Sequence, residues 1–153
     1  MAQTKDDLKQ GVEDYDGIVT IRGGGELKRE WNNIRYKQGM SGKNVGSTEL
    51  SMNVATIPVG GVALAHIHVD FEVMLYILQG KVRHDYGDKC KESLENGAGD
   101  FIYIAPGLPH EVFNIGDEEV VAVVARSDAA EWANIVRYDR ETGALIEDDE
   151  TSA

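Results

Sequence analysis

From residue 50 to residue 126 the chain is cut by glycine and proline into short apolar segments, with no helical stretches alternating between them. Residues 50–57, Leu-Ser-Met-Asn-Val-Ala-Thr-Ile, alternate apolar and polar side chains at period two, which is the mark of a strand with one buried face. Pro58 and the Gly60-Gly61 pair end it. Further strands are predicted over 63–68, 72–79, 81–86, 100–105, 110–115 and 119–126. Gly80, Gly87, Gly97, Gly99, Gly107 and Gly116 punctuate them. Many short strands with tight turns point to an all-β sandwich or barrel. The 17 glycines fit the same architecture, because a small barrel needs sharp corners.

The flanks are less regular. Residues 1–12 could carry a short helix around 6–10, or fray. Residues 17–22 read as a strand. Gly23-Gly24-Gly25 reads as a turn and not a phosphate loop, since no Lys-Ser/Thr follows and no strand-loop-helix unit surrounds it. Residues 31–38 read as a mixed strand, 39–47 as a loop, 86–94 as a hairpin turning at Gly87-Asp88, 127–133 as a helical turn and 135–138 as an edge strand. The expected organisation is an N-terminal extension (1–16), one domain (17–138) and an acidic tail (139–153), disordered around Glu147-Asp148-Asp149-Glu150.

A length of 153 residues suits one domain with one core. The formal net charge of -12 argues against nucleic acid and anionic membrane as partners, since both are bound through basic patches. No apolar run approaches the roughly 20 residues of a membrane-spanning helix, and the first ten residues lack an apolar secretory core. A cytoplasmic location is the expectation. Cys90 is the single cysteine, so neither an internal disulfide nor a cysteine metal cluster is available.

The chemistry concentrates between Gly60 and Gly80. His66 and His68 are one residue apart, and on a strand residues i and i+2 share a face, so both imidazoles could converge on one ion. Glu72 has the same parity, unless Val69-Asp70-Phe71 turns and breaks the count. His110 follows Pro106-Gly107, a turn able to swing it in from a neighbouring strand. Three neutral imidazoles and a carboxylate suit one divalent transition metal: Mn, Fe, Ni, Co, Cu or Zn. An isolated His-x-His also occurs as ordinary half-buried histidine. The two segments, each flanked by its own glycines and prolines, carry the reading together.

These segments resemble the two motifs of the cupins. The first runs Gly60, five residues, His66-Ile67-His68, three residues, Glu72, then seven residues to Gly80, one more than the family's usual spacing. Counted back from Gly80, Val73 stands in the place of the family's glutamate. The second runs Gly99-Asp100, apolar residues, Pro106-Gly107-Leu108-Pro109-His110, three residues, Asn114. The resemblance spans about 48–126. It implies an RmlC-like jelly roll, or double-stranded β-helix, with a metal held by His66, His68, Glu72 and His110. The Val-Val-Ala-Arg-Ser-Asp-Ala-Ala-Glu stretch ending at Glu131 is similar to a group of single-domain bacterial cupins that includes a methylthio-xylulose-phosphate methylsulfurylase. Small cupins often pair through edge strands, so a homodimer is expected, with residues 18–22 as the strand that crosses over.

Around the ion, Val82, His84 and Tyr86 share a face, which would put His84 inside the barrel as a substrate group. Met74, Tyr76 and Leu78 share the parity of Glu72 and would form an apolar wall. Glu72 is either a ligand or a general base; His84 and Tyr76 are the other catalytic candidates. Arg22, Arg35 and Arg126 are strand cations, one of which could hold an anionic substrate, although surface pairing is the ordinary role of such residues. The expected function is a metal-dependent enzyme on a small oxygenated metabolite, of isomerase, lyase, thio-transfer or dioxygenase type. The alternative is a non-catalytic binding or sensor module using the same pocket.

Overall fold

The computed structural model describes residues 11–29, 34–130 and 134–146. In chain order the strands are β1 (Val12–Asp14), β2 (Val19–Ile21), β3 (Leu27–Arg29), β4 (Arg35–Met40), β5 (Ser51–Ile57), β6 (Val62–His68), β7 (Val73–Gln79), β8 (Lys81–Tyr86), β9 (Glu92–Gly97), β10 (Phe101–Ile104), β11 (His110–Asn114), β12 (Val120–Arg126), β13 (Ile135–Tyr138) and β14 (Leu145–Ile146). One six-stranded sheet has the order β10-β7-β12-β5-β4-β3 and the other β14-β13-β6-β11-β8-β9, while β1 and β2 form a separate hairpin. Strands β5, β6, β7 and β8 alternate between the large sheets, as do β9, β10, β11 and β12 save that β9 follows β8 in the same sheet. This two-sheet arrangement is a jelly roll, the fold that the resemblance implies, and the all-β expectation holds.

The sequence pattern explains why the sheets close on each other. Along β12, Val120, Ala122, Val124 and Arg126 are buried and the residues between are half-buried. Along β5, Ser51, Asn53, Ala55 and Ile57 alternate in the same way. These inward rows meet Ala63, Val82 and Ile135 from the opposite sheet in one core that also holds Phe71, Val73, Ile77 and Ile104. Burying each large aliphatic or aromatic side chain contributes about 1.5–3 kcal/mol. The corner between β7 and β8 is a single residue, Gly80. Its φ is 93°, and a Cβ there would lie 2.9 Å from Val120 Cα, so only glycine lets the chain step between sheets at this point.

The flanks depart from expectation, since β1 and β3 lie where no strand is predicted. Inside the loop predicted over 39–47, Gly42–Val45 forms a one-turn helix, α1, because Ser41 and Asn44 cap each other's backbone. Residues 139–146, assigned to the acidic tail, fold back: β14 pairs with β13, and Arg140 Nη1 donates to Asp85 Oδ2 at 3.0 Å and Glu111 Oε1 at 2.7 Å. The candidate helix at 6–10, the start of the 31–38 strand, the end of the 127–133 turn and the acidic run at 147–150 lie outside the described residues. Among the described residues, no helix is long and apolar enough to cross a membrane.

Candidate metal centre

The site is built on β6 and β11. Their pairing sets His110 directly opposite His66, with a register shift between His110 and Val112. The burial pattern of β6 shifts with it: Ala63 faces in, Leu64 and Ala65 take up the irregularity, and His66 and His68 return to the inner face. Such a bulge re-aims every side chain beyond it. The Ala65 N–H freed by the irregularity donates to Glu111 Oε2 at 3.1 Å.

The result is a compact trio. The ligand atoms of His66, His68 and His110 all lie within 4.8 Å of one another. Their ring centroids are separated by 5.1 Å (His66–His68), 4.3 Å (His66–His110) and 4.7 Å (His68–His110), and His68 stacks on buried Phe71 at 4.9 Å. Nδ1 of His66 lies 2.7 Å from the Leu64 carbonyl oxygen, and Nδ1 of His110 lies 2.9 Å from that of Leu108. An Nδ1–H that donates to a carbonyl leaves Nε2 with its lone pair for an ion and fixes the ring, the usual second contact of a metal-bound histidine.

Burial keeps these rings neutral. It holds His66 well below the usual imidazole range, helped by the positive charge of His110, Arg126 and His84 and only partly opposed by the Leu64 carbonyl. His68 is lowered by burial and then by His110, His66 and Arg126. Burial brings His110 down to about 4. Neutral imidazole is the form that ligates, so the three residues fit a divalent metal.

The trio opens on a cavity of ≈ 90 Å3 whose wall is chiefly aliphatic, with Val73, Leu75, Ile77, Ile104, Val112 and Val124 among its members. His84 faces the same cavity as predicted. It is 5% exposed, its ring lies 6.4 Å from that of His110, and neither ring nitrogen has a hydrogen-bond partner. Burial lowers it to about 4, ahead of the charge of His110.

The structure does not bring Glu72 to the histidines. Its side chain is exposed and accepts a hydrogen bond from the Tyr103 hydroxyl at 2.7 Å, while Val73 points into the cavity. The turn at Val69-Asp70-Phe71, with Asp70 at φ 63° and Phe71 buried, breaks the alternation that put Glu72 in phase with His68. The same slip moves Tyr76, Met74 and Leu78 to the outer face. Tyr76 packs on Phe101 at 4.6 Å, and Met74 and Leu78 are exposed; Val73, Leu75 and Ile77 make the wall instead. Ile104 faces the cavity, and Phe101 and Tyr103 do not.

Asn114 caps a turn: Nδ2 donates to the carbonyls of Ile57, Pro58 and Glu118, and Oδ1 accepts from Gly116 N–H. Of the three arginines, Arg22 pairs with Glu13 and Arg35 with Glu119. Arg126 is 5% exposed and lines the cavity. Its phase was legible, since Val120, Ala122, Val124 and Arg126 share one face, but an arginine is assigned to the surface by default.

Comparisons with known proteins agree with this fold. Residues 53–126 match the Cupin_2 family model, described as a cupin domain. The chain is 39% identical over 67 residues to the uncharacterized protein MJ1618 of Methanocaldococcus jannaschii, covering 44% of this chain and 51% of that one. The chain thus spans about half the length of the curated relative it matches. Among solved structures, the Schizosaccharomyces pombe Cnp3 cupin domain is similar with a TM-score of 0.59 at 14% identity, over 72% of this chain and 77% of that chain. Bacillus subtilis oxalate decarboxylase, described with Mn(II) centres, is similar with a TM-score of 0.57 at 23% identity, over 67% of this chain and 27% of that chain. These likenesses concern the fold.

Proposed function

We propose that this chain is a small metal-dependent cupin enzyme acting on a small oxygenated metabolite, with one divalent transition ion held by His66, His68 and His110. The trio itself carries the reading: three buried, neutral imidazoles with ligand atoms within 4.8 Å of one another, two of them braced by carbonyls. An imidazole set suits Mn, Fe, Co, Ni, Cu or Zn, and the Mn(II) centres of the Bacillus subtilis protein make manganese the first ion to try. Once bound, the ion would polarise a substrate oxygen as a Lewis acid.

The chain's own residues supply the rest. The carbonyls of Leu64 and Leu108 orient two ligand rings. The aliphatic wall lowers the local dielectric and so strengthens polar contacts within. His84 offers a hydrogen-bond donor and an acceptor to whatever lies beside the trio. An apolar wall around a few polar groups suits small oxygenated molecules such as hydroxy acids or small diketones. Isomerase, lyase, thio-transfer and dioxygenase chemistries all remain compatible with such a site.

The test is metal analysis of purified protein, followed by a turnover and oxygen-uptake screen with each metal against diketones, catechols, hydroxy acids and pentulose phosphates. Bound metal and turnover of a small member support the proposal. Neither bound metal nor metal-induced stabilisation would sink it, and ligand binding without turnover across the panel would make the protein a sensor or binding module.

A further inference from the structure

The peptide unit joining Leu64 to Ala65 is bonded at both ends, in opposite directions. Its carbonyl oxygen accepts from Nδ1–H of His66 at 2.7 Å, toward the metal centre. Its N–H donates to Glu111 Oε2 at 3.1 Å, away from the cavity. The unit lies in the bulge. Strand β11 pairs His110 with His66 and Val112 with Ala63, so Glu111 alone stands across from Leu64 and Ala65. The extra residue leaves a backbone N–H without a ladder partner, and a buried N–H needs another. Glu111 supplies it from a side chain that is itself buried, and Arg140 Nη1 holds the second carboxylate oxygen at 2.7 Å. The other braced ring has no such arrangement. Nδ1 of His110 lies 2.9 Å from the Leu108 carbonyl, the longer of the two contacts. That carbonyl belongs to the Leu108–Pro109 peptide, which has no N–H to donate.

We infer that Glu111 is a positioning residue of the metal centre, acting on His66 through the Leu64–Ala65 peptide. A carboxylate often takes the outer ring N–H of a metal-bound histidine directly. Here one peptide stands between them. Negative charge on the Ala65 N–H polarises the peptide, so the Leu64 oxygen holds the His66 Nδ1–H more firmly. The ring is then fixed in orientation, and its Nε2 is a stronger donor to an ion. The same carboxylate fixes the bulge that turns His66 and His68 inward. Its sequence position, directly after His110, ties the two histidine-bearing strands together at the level of the site. This role rests on the three-histidine metal reading.

The test uses the full chain with 15N-labelled histidine and Zn2+, reading affinity by calorimetric titration and the two Nδ1–H protons by NMR. In the native protein with Zn2+, the His66 proton is expected further downfield than the His110 proton and slower to exchange with water. Glu111→Leu, which offers Ala65 no acceptor, is expected to bind Zn2+ about tenfold more weakly. Glu111→Gln keeps an acceptor without the charge and is expected to recover part of that loss. In both variants the His66 proton moves upfield while the His110 proton stays in place. Ser93→Ala removes the 2.6 Å contact to Asp85 on the same face. It is expected to lower the melting temperature yet leave Zn2+ affinity within about twofold. Unchanged affinity and an unmoved His66 proton in Glu111→Leu overturn the inference. So does a Ser93→Ala protein that loses as much affinity as Glu111→Leu, because affinity would then merely follow stability. Should the Glu111 variants not fold, the native protein decides: a His66 proton upfield of the His110 proton, or faster to exchange, overturns the inference. A native chain that binds no Zn2+ removes the metal reading itself, a different and separately visible result.

Discussion

The two faces of the β6-β11-β8 sheet treat buried polar groups in opposite ways. On the outer face, Asp85 and Glu111 are nearly as buried as the histidines, and each is satisfied. Asp85 accepts from Ser93 Oγ at 2.6 Å, from Arg83 Nε at 3.0 Å and from Arg140; Glu111 accepts from Ala65 N–H and Arg140, whose Nη2 also reaches the Cys90 carbonyl at 3.0 Å. Burial alone would raise the Asp85 carboxyl, but the hydrogen bonds from Ser93, Arg140 and Arg83 leave it below its usual range. One residue along the same strands, on the inner face, both nitrogens of His84 and Nδ1 of His68 have no partner. An unmade buried hydrogen bond costs about 1–3 kcal/mol. The outer face therefore serves stability, fastening the C-terminal segment across the strands that bear the histidines. The inner face holds its hydrogen-bonding capacity for something that enters.

The largest expected effect lies on the inner face. His110→Ala should weaken metal binding by more than about 100-fold, beyond the loss from removing a supporting residue, as calorimetric titration would read. Undiminished affinity would break the contrast between the faces. Next comes pH. The unfolded chain protonates its histidines near pH 6.5, whereas His84 and His110 resist until about 4. Below about pH 6.5 the unfolded state therefore binds more protons, so metal-free stability is full above that value and falls toward pH 4, on the order of a few kcal/mol in all. Urea melts across this window would show a flat line if the rings were solvated.

On the outer face, Arg140→Met leaves Glu111 buried without its cation and Asp85 with Arg83 alone. The expected cost is about 2 kcal/mol, below that of a wholly buried pair because the guanidinium is 34% exposed. The melting temperature should drop by about 4–8 °C. The opposite sign is expected for His84→Leu, which replaces an unsatisfied ring with an aliphatic side chain and should raise metal-free stability by about 0.5–1 kcal/mol. A loss of stability there would mean that the ring is already partnered. The smallest change belongs to Glu72→Gln, which should alter metal affinity by less than about twofold, since that carboxylate lies outside with Tyr103.

The sequence carried the fold well, because period-two alternation in β5 and the glycine corners report burial and turning directly. It carried the three histidines for the same reason: His66 and His68 share parity, and the second motif supplies His110. It failed where parity is interrupted. The turn at Asp70 moved Glu72 and Tyr76 outside and brought Val73 in, and only the count back from Gly80 hinted at this. The bulge at Leu64 and Ala65, and its closure by Glu111, depend on a pairing between distant strands that no local pattern encodes. Arg126 and Arg140 were obscured because charged side chains read as surface until the surrounding structure is known. Arg140 in addition lay in a segment whose acidic composition suggested a tail.

The central claim is that His66, His68 and His110 hold one divalent metal. Its most direct measurement is the metal content of the full chain by elemental mass spectrometry, before and after incubation with Mn2+, Co2+, Ni2+ and Zn2+ and dialysis, alongside His110→Ala. The account predicts about one ion per chain for at least one of these metals in the native sequence and a trace in the variant. Trace metal in both, or equal loading of the two, would contradict it.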